Sequence, residues 1–241
     1  MVHFFIVTMH IDIVTAFPEY FEAPLGISIV GRAREKGILT FHIYNLRDYT
    51  EDKHRRIDDA PYGGGPGMVI KAEPFFNTVT AIRESHQSAK PRVIFLTPDG
   101  KKFTQSDANR LAAYDHIVLL SGHYKGIDER VRLRLVDEEI SIGDYVLTGG
   151  EIPTLVVIDA VVRLLPDVLG NADSAITDSF QTGLLDHPQY TRPEIFEGDA
   201  VPEVLLSGHH AKIEQWRQQK AIERTIQNRI ELLNQNIVDS K

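Results

Sequence analysis

The sequence has no cysteine among its 241 residues, so disulfide bonds and thiolate chemistry are excluded. It also has no apolar run that approaches the roughly 18 residues needed by a membrane-spanning helix. Its first residues, MVHFFIVTM, lack the basic region and the small-residue cleavage site of a secretory signal. Together these absences predict a soluble protein of the reducing cytoplasm.

The common cofactor motifs are absent as well. The sequence contains no G-x-G-x-x-G for a dinucleotide, no G-x-x-x-x-G-K-S/T for a nucleoside triphosphate, no H-E-x-x-H for a metal and no G-x-S-x-G nucleophile elbow. The adjacent residues His209 and His210 point to different sides, which favours backbone capping or contact with an anion over metal binding. No residue is therefore assigned to a metal. No ligand spacing identifies a Mg²⁺ site either, although Asp178 and Glu151 could contribute to one.

Charge is spread unevenly along the chain. The composition, with 42% hydrophobic and 25% charged residues, is that of an ordinary globular protein, and the net charge is -8. Residues 211–241 contain six Lys or Arg and four Asp or Glu, a balance of +2, which leaves -10 on the other residues. The overall charge argues weakly against a nucleic-acid partner, so the local placement of basic residues must decide.

Short apolar runs alternate with helical patterns over most of the chain. Buried strands are predicted at Ile11–Thr15, Ile38–Tyr44, Val93–Leu96 and Ile117–Leu120. Helices are predicted at Leu25–Lys36, Glu73–His86, Ser106–Ala113, Pro153–Leu165 and His210–Leu233. This alternation predicts an α/β domain with a mostly parallel sheet over residues 1–170. Small polar residues then predict a flexible linker at 171–185, and the last amphipathic helix predicts a small helical domain at 186–241.

Glycine-rich segments follow the predicted strands. Residues 97–100 would form a plain type I turn by themselves, but with loops 121–126 and 141–150 they could enclose a small ligand, because ligands bind at the carboxyl edge of parallel sheets. The segment 58–68 holds four glycines and two prolines, which predicts a shaped loop rather than a flexible connection. In the apolar helix at Pro153–Leu165, Asp159 and Arg163 share one face, and a buried arginine there would need an anionic partner.

Five long motifs in unbroken order carry a resemblance to a known family. They are P-Y-G-G-G-P-G-M (61–68), S-G-H-Y-K-G-I-D-E-R (121–130), I-G-D-Y-V-L-T-G-G-E (142–151), D-S-F-x-x-G-L-L-D-x-P-x-Y-T-R-P (178–193) and L-L-S-G-H-H-A-K-I-E-Q-W-R (205–217). The chain resembles the bacterial tRNA (guanine-N1) methyltransferases over about residues 9–235. The resemblance implies a trefoil-knotted α/β domain of the SPOUT type, S-adenosylmethionine as methyl donor, and tRNA methylated at the guanosine immediately 3′ of the anticodon. It also implies an obligate homodimer with the active site at the subunit interface.

The resemblance also implies roles for particular residues. Asp178 would be the general base that removes the proton from guanine N1, although an aspartate in a polar linker is by itself usually only solvating. Arg163 would be its catalytic partner. The donor-binding positions it implies are Leu96, Thr97, Pro98, Gly122, Ile142, Tyr145, Leu147, Gly149 and Gly150. The RNA-binding positions expected in the linker and the carboxy-terminal domain are Ser179, Arg192, Lys212, Arg217 and Lys220.

Two departures from the family pattern limit what can be carried over. Lys125 stands where the family commonly has glutamate, so a carboxylate contact to guanine from this position is lost. The first eight residues precede the usual start and are either an extension or lie before a true start at Met9. Two alternatives stay open: a related knotted methyltransferase acting on another RNA or guanine atom, and a non-catalytic RNA-binding module with the same fold. Mapping the methylated nucleoside tests the first, and measuring donor binding tests the second.

Overall fold

A five-stranded parallel sheet forms the centre of the amino-terminal unit in the computed structural model, which describes residues 8–86, 90–170 and 177–233. The chain divides into two units, Met1–Gly170 and Asn171–Lys241. The strands of the first unit are β1 (Met9–Thr15), β2 (Leu39–Asn45), β3 (Asp58–Asp59), β4 (Val69–Ile70), β5 (Arg92–Lys102), β6 (His116–Ser121) and β7 (Glu138–Ser141). The large sheet has the order β2-β1-β6-β5-β7, and every neighbouring pair in it is parallel. The predicted α/β class with a parallel sheet is confirmed, and the knot implied by the resemblance stays a prediction.

Helices cover both faces of this sheet. They are α1 (Glu19–Glu22), α2 (Ser28–Glu35), α3 (Ala72–Ser85), α4 (Gln105–Leu111), α5 (Glu129–Leu135) and α6 (Glu151–Val162). All six residues of the central strand β6 are buried, since alternate side chains enter two separate apolar cores. Ile117 and Leu119 pack in the core that contains α6, whereas Val118 and Leu120 pack in the core that contains α3.

The structure corrects several boundaries. Strand β7 and helix α5, of 4 and 7 residues, were missed because such short elements carry too little periodicity. Residues 97–100 do not form a plain turn after a strand. They lie inside β5, as a bulge across which Leu96 and Lys101 both pair with Ile140.

The apolar helix α6 begins two residues before Pro153 and ends at Val162, short of the predicted Leu165. It is not buried on every side, because Ile152 and Val156 are exposed on one face. Arg163 is half-buried at the carboxyl end of α6, and Asp159 is exposed. The apolar pattern extended the predicted helix past the point where the chain turns, as the hydrogen bonds from Leu164 N–H to Val161 and from Leu165 N–H to Val162 show.

The second unit contains a carboxy-terminal helix at His210–Asn228, five residues shorter than predicted, and a short helix at Glu203–Leu206. It is not purely helical, because a two-stranded hairpin of β8 (Ile195–Phe196) and β9 (Asp199–Ala200) precedes them. The hairpin turns at Glu197 and Gly198, both with positive φ, as a tight two-residue turn requires. Residues 171–176 of the predicted linker lie outside the described residues.

The start of the second unit packs on its long helix through Thr225. This buried hydroxyl accepts a hydrogen bond from the backbone N–H of Leu185 at 2.9 Å and donates one to the Ala221 carbonyl. Arg224 donates to the Asp186 carbonyl at 3.1 Å. In neither unit does any helix within residues 8–86, 90–170 and 177–233 have an apolar stretch of the length a membrane span requires.

Candidate active site

A cavity of about 280 Å³ lies where strands β5, β6 and β7 end. The lining comes from the bulge in β5, from the loop that follows β6 and from the loop between β7 and α6. All of the predicted donor-binding residues line it: Leu96, Thr97, Pro98, Gly122, Ile142, Tyr145, Leu147, Gly149 and Gly150. The structure therefore brings together positions that the sequence distributes over three separate segments.

Backbone rather than side chains forms much of one wall. Gly150 N–H donates to the Gly122 carbonyl at 2.8 Å, which ties the loop after β6 to the start of α6. A Cβ atom on Gly150 would lie 2.8 Å from Ser121 Cα and 2.9 Å from Gly122 N, so glycine is required there by close backbone approach. Gly100 meets a similar constraint, because its Cβ would lie 2.5 Å from Ile140 N in the neighbouring strand. These contacts hold the loops close and leave backbone groups at the cavity.

Buried hydrogen bonds connect the residues that flank the cavity-lining segments. Glu151, the first residue of α6, accepts a hydrogen bond from Thr15 Oγ1 at 2.9 Å, and both side chains are buried. Ser121 and Thr154 share a second buried hydrogen bond, with their oxygens 2.8 Å apart. His123 lines the cavity, and its Nδ1 is buried without a hydrogen-bond partner in the part of the chain the structure describes. A buried polar atom of this kind is expensive unless a ligand or solvent meets it.

Arg132 brings a fixed positive charge to the cavity, and the sequence reasoning missed it. Its guanidinium binds Glu139 through two hydrogen bonds, of 2.8 and 2.6 Å, and donates a third of 3.2 Å to Asp99. The hydrogen bonds to Glu139 raise the pKa of Arg132 well above its usual value, with Glu129 and Asp99 adding to the effect. The side chain also lies 6.0 Å from the Phe95 ring, another lining residue that was not predicted. Only a spatial contact between α5 and β7 could have revealed this arginine.

Lys125 lines the cavity and joins it to the glycine-rich loop. Its backbone N–H donates to the Met68 carbonyl at 3.0 Å. A Cβ on Gly67 would lie 2.7 Å from Lys125 Cγ, and Gly67 has a φ of 93°, which favours glycine. The sequence predicted a shaped loop over residues 58–68. Asp58–Asp59 instead form β3, and residues 60–68 form a loop whose last residues lie against the segment that carries Lys125.

The two predicted catalytic residues lie in different units of the chain. Arg163 follows the last residue of α6, and its backbone N–H donates to the Asp159 carbonyl at 3.3 Å. It is not among the residues that line the cavity within the first unit. Asp178 is half-buried in the second unit, close in sequence to the turn in which Phe180 N–H donates to the Leu184 carbonyl.

The predicted RNA-binding residues all lie in the second unit, and they differ in how freely their side chains are presented. Arg192 and Lys212 are exposed. Ser179 Oγ accepts a hydrogen bond from Asp186 N–H at 2.9 Å, which gives it a structural role in the turn. Lys220 Nζ lies 2.6 Å from Glu223, and Arg217 lies 3.8 Å from Glu214. The helix thus offers exposed cations beside glutamates that partly neutralise them.

Comparisons with known proteins agree with this geometry. A sequence model of the family described as tRNA (Guanine-1)-methyltransferase TrmD matches residues 9–235. The chain is 57% identical over 228 residues to a tRNA (guanine-N(1)-)-methyltransferase of Heliobacterium modesticaldum, a match that covers 93% of this chain and 84% of that protein. It is 55% identical over 225 residues to the protein of the same name from Moorella thermoacetica, covering 93% of this chain and 90% of the relative. The relative of the same name from Shouchella clausii is 53% identical over 225 residues, a match that covers 93% of this chain and 91% of that protein.

Proposed function

The chain belongs to the tRNA (guanine-1)-methyltransferase family, and from this premise we propose that it methylates N1 of the guanosine immediately 3′ of the anticodon in tRNA. The observation that carries the proposal is the convergence of all the predicted donor-binding residues on one cavity at the carboxyl edge of the sheet. As a member of this family, the chain is a tRNA guanine-N1 methyltransferase. The position of the guanosine and the roles of individual residues are proposed.

The cavity fits the methyl donor that the family implies. S-adenosylmethionine, when bound, supplies a methyl group on a sulfonium that is already activated, so the reaction needs no metal to create a leaving group. Leu96, Ile142 and Leu147 would hold the donor's apolar surface, while Gly122 and Gly150 present backbone at close range. His123 Nδ1 makes no hydrogen bond among the described residues and lies 3.7 Å from Glu151 Oε2, so it is a polar contact that such a ligand could use. Mg²⁺ is not needed for these contacts.

Asp178 would act on the proton of the acceptor. Guanine N1 carries a proton and is a poor nucleophile until that proton is removed. The Asp178 carboxylate can accept it if tRNA binding brings N1 within hydrogen-bond reach, roughly 2.6–3.2 Å. As the proton leaves, negative charge grows on O6 of the guanine, and the Arg163 guanidinium could donate hydrogen bonds that stabilise it.

The second unit would hold the tRNA. Arg192 and Lys212 present exposed cations, which suit contacts to phosphate, and phosphate contacts position a nucleic acid rather than specify its sequence. The anticodon loop supplies unstacked bases, which are the usual targets of sequence-specific RNA recognition. We therefore assign donor binding to residues 1–170 and tRNA binding to residues 186–241, with residues 171–185 as the linker between the two domains.

We also propose that the protein works as a homodimer whose active sites lie at the subunit interface. Support comes from Ile152 and Val156, which lie one turn apart on α6 and are 47% and 44% exposed. Val146, in the loop that lines the cavity, is 84% exposed. Apolar side chains concentrated on one helix and the adjoining loop are typical of a protein–protein interface.

Nucleoside mapping tests the proposed reaction. The protein is incubated with S-adenosylmethionine and a tRNA transcript that has guanosine immediately 3′ of the anticodon, and a matched transcript with adenosine there serves as the control. Mass spectrometry of the digested RNA should find 1-methylguanosine only in the first transcript. Methylation at another nucleotide or another guanine atom would favour a related knotted methyltransferase, and absence of donor binding by calorimetry would favour a non-catalytic RNA-binding module.

A further inference from the structure

Four histidines and one aspartate form a cluster near the amino-terminal end of β6, opposite to the end of that strand at which the donor cavity lies. Asp12 in β1 is fully buried, and its Oδ2 lies 2.8 Å from His116 Nε2 and 3.7 Å from His86 Nε2. Its other oxygen, Oδ1, lies 3.3 Å from His42 Nδ1. His10 completes the cluster, with its ring centroid 5.5 Å from that of His86.

The topology explains why these residues meet. Asp12 pairs in register with His42 of β2, and His10 pairs with His116, the first residue of β6. Side chains two residues apart on a strand share a face, so His10 and Asp12 project toward the same side of the sheet. That face carries α3, whose last turn leads directly into His86.

The charge of Asp12 is not balanced by an ion pair with lysine or arginine among the described residues. Within the part of the chain that the structure describes, all of its ion-pair contacts are with histidines. A buried carboxylate is costly unless it is paired or coordinates a metal ion. A histidine offsets that charge only if it carries a second proton.

We propose that Asp12, His86 and His116 form a binding site for a divalent transition-metal ion of the Zn²⁺ type. One donor atom from each of the three residues lies within 4.8 Å of the others. Atoms that each bind one ion at roughly 2.1 Å in tetrahedral geometry are separated by about 3.4 Å, and the observed 2.8 and 3.7 Å bracket this value. Small side-chain rotations are enough to close the site.

The donor set selects among metals. Two imidazoles and one carboxylate suit Zn²⁺, Co²⁺ or Ni²⁺, whereas Mg²⁺ prefers oxygen ligands and retains its water. The other oxygen of Asp12, Oδ1, is hydrogen-bonded to His42 Nδ1. His42 would therefore not bind the ion itself but would orient the carboxylate that does. A histidine nitrogen must be unprotonated to bind a metal, so a neutral His116 would carry its single proton on Nδ1 when Nε2, which now faces Asp12 Oδ2, binds the ion.

An ion could enter beside His42 and His86. The His42 side chain is half-exposed, His86 is partly exposed, and their ring centroids are 6.1 Å apart. The site lies at the first residue of β6, whereas the donor cavity begins after its last residue, Ser121. At about 3.3 Å per residue the two lie on the order of 15 Å apart along the strand, so the cluster is separate from the methyl-transfer site.

Metal titration of the full-length, chelator-treated protein tests this site. At a free Zn²⁺ concentration of about 100 times Kd, the Tm of the wild type should rise by roughly 5 °C or more, and Mg²⁺ should have no such effect. His86→Asn removes one ligand at the surface and should weaken Zn²⁺ binding at least about 100-fold, because even changes outside the ligand shell cost 10–100-fold. His54→Asn, at an exposed histidine outside the cluster, should bind as the wild type does.

The outcomes are decisive in either direction. Absence of saturable Zn²⁺ binding by the wild type overturns the proposal, as does equal binding by His86→Asn and the wild type. If His86→Asn does not fold, X-ray absorption of the Zn²⁺-loaded wild type decides: two imidazoles and a carboxylate support the site, and any other ligand set contradicts it. Methyl transfer by His86→Asn should be unchanged, which separates this site from the catalytic one.

Discussion

Gly150 lies so close to Ser121 that a Cβ atom on the glycine would approach Ser121 Cα to 2.8 Å. The contact locks the start of α6 against the end of β6, and Gly150 N–H donates to the Gly122 carbonyl beside it. Both segments line the cavity proposed for the donor. The shape of that cavity therefore depends on a backbone contact that no side chain could replace.

Replacing Gly150 by alanine should weaken S-adenosylmethionine binding by about tenfold or more, because the added methyl group forces two backbone segments apart. Calorimetric titration measures the affinity. Gly26→Ala is the matched control, since a Cβ there meets nothing within 4 Å. Equal donor affinity in the two variants would contradict a donor site whose shape depends on this backbone contact.

Asp178→Asn should lower kcat by about 10²–10⁴-fold while donor affinity is retained, because the amide cannot accept the proton of guanine N1. Single-turnover methylation measures the chemical step, and calorimetry measures donor binding. Asp199→Asn, an exposed aspartate of the same unit, should keep full activity. A near-normal rate in Asp178→Asn would remove this residue as the base.

Arg163→Ala should lower the methylation rate by about 10²–10³-fold through loss of charge stabilisation at guanine O6. Its Tm and donor affinity should remain close to those of the wild type. Arg83→Ala, which changes an exposed arginine on α3, provides the comparison. A fall in Tm with an unchanged rate per folded molecule would assign Arg163 a structural role only.

Val156→Glu should convert the proposed homodimer into monomers, because it places a charge on the exposed apolar face of α6. Light scattering after size-exclusion chromatography gives the mass. Leu133→Glu is the control, since Leu133 is 75% exposed on α5, outside that face. A monomeric wild type, or a Val156→Glu variant that stays dimeric, would contradict the proposed interface.

Asp107→Ala should destabilise the amino-terminal unit by about 1 kcal/mol at pH 7, because Asp107 and Thr104 form a capping box at the start of α4. Burial raises the pKa of Asp107, but hydrogen bonds from Thr104, Lys101 and Arg110 outweigh burial, so the pKa lies below the usual value of an aspartate. The unfolded chain therefore binds the proton more readily, so this stabilisation is complete above about pH 4 and is lost as the pH falls through the folded pKa. The stability difference between variant and wild type should shrink over that range.

Thermal denaturation at a series of pH values measures this difference. Gln105→Ala changes a partly exposed residue of the same helix and should alter the free energy of unfolding by less than about 0.5 kcal/mol at every pH. A penalty for Asp107→Ala that is constant down to pH 2 would show that the charge of the carboxylate contributes nothing.

The sequence predicted the elements that have strong local signals. The strands Ile11–Thr15 and Ile117–Leu120 lie within the observed β1 and β6, because long apolar runs between turns leave few alternatives. The bulge at residues 97–100 was read as a turn, since a proline and a glycine suit both and only the contact of Gly100 with β7 distinguishes them. Arg132 was missed for the same reason, because it lies on α5 and its neighbours Glu139 and Phe95 belong to the strands β7 and β5.

By itself the sequence determined the alternation of strands and helices, the glycine positions that shape the loops, and the family to which the chain belongs. These follow from periodicity, from backbone restrictions and from ordered motifs, all of which are local. Only the tertiary structure decided which distant residues meet: Thr15 with Glu151 across 136 positions, and Asp12 with His116 across 104. Such contacts depend on the order of the strands in the sheet, and that order results from burial summed over the whole chain rather than from any one segment.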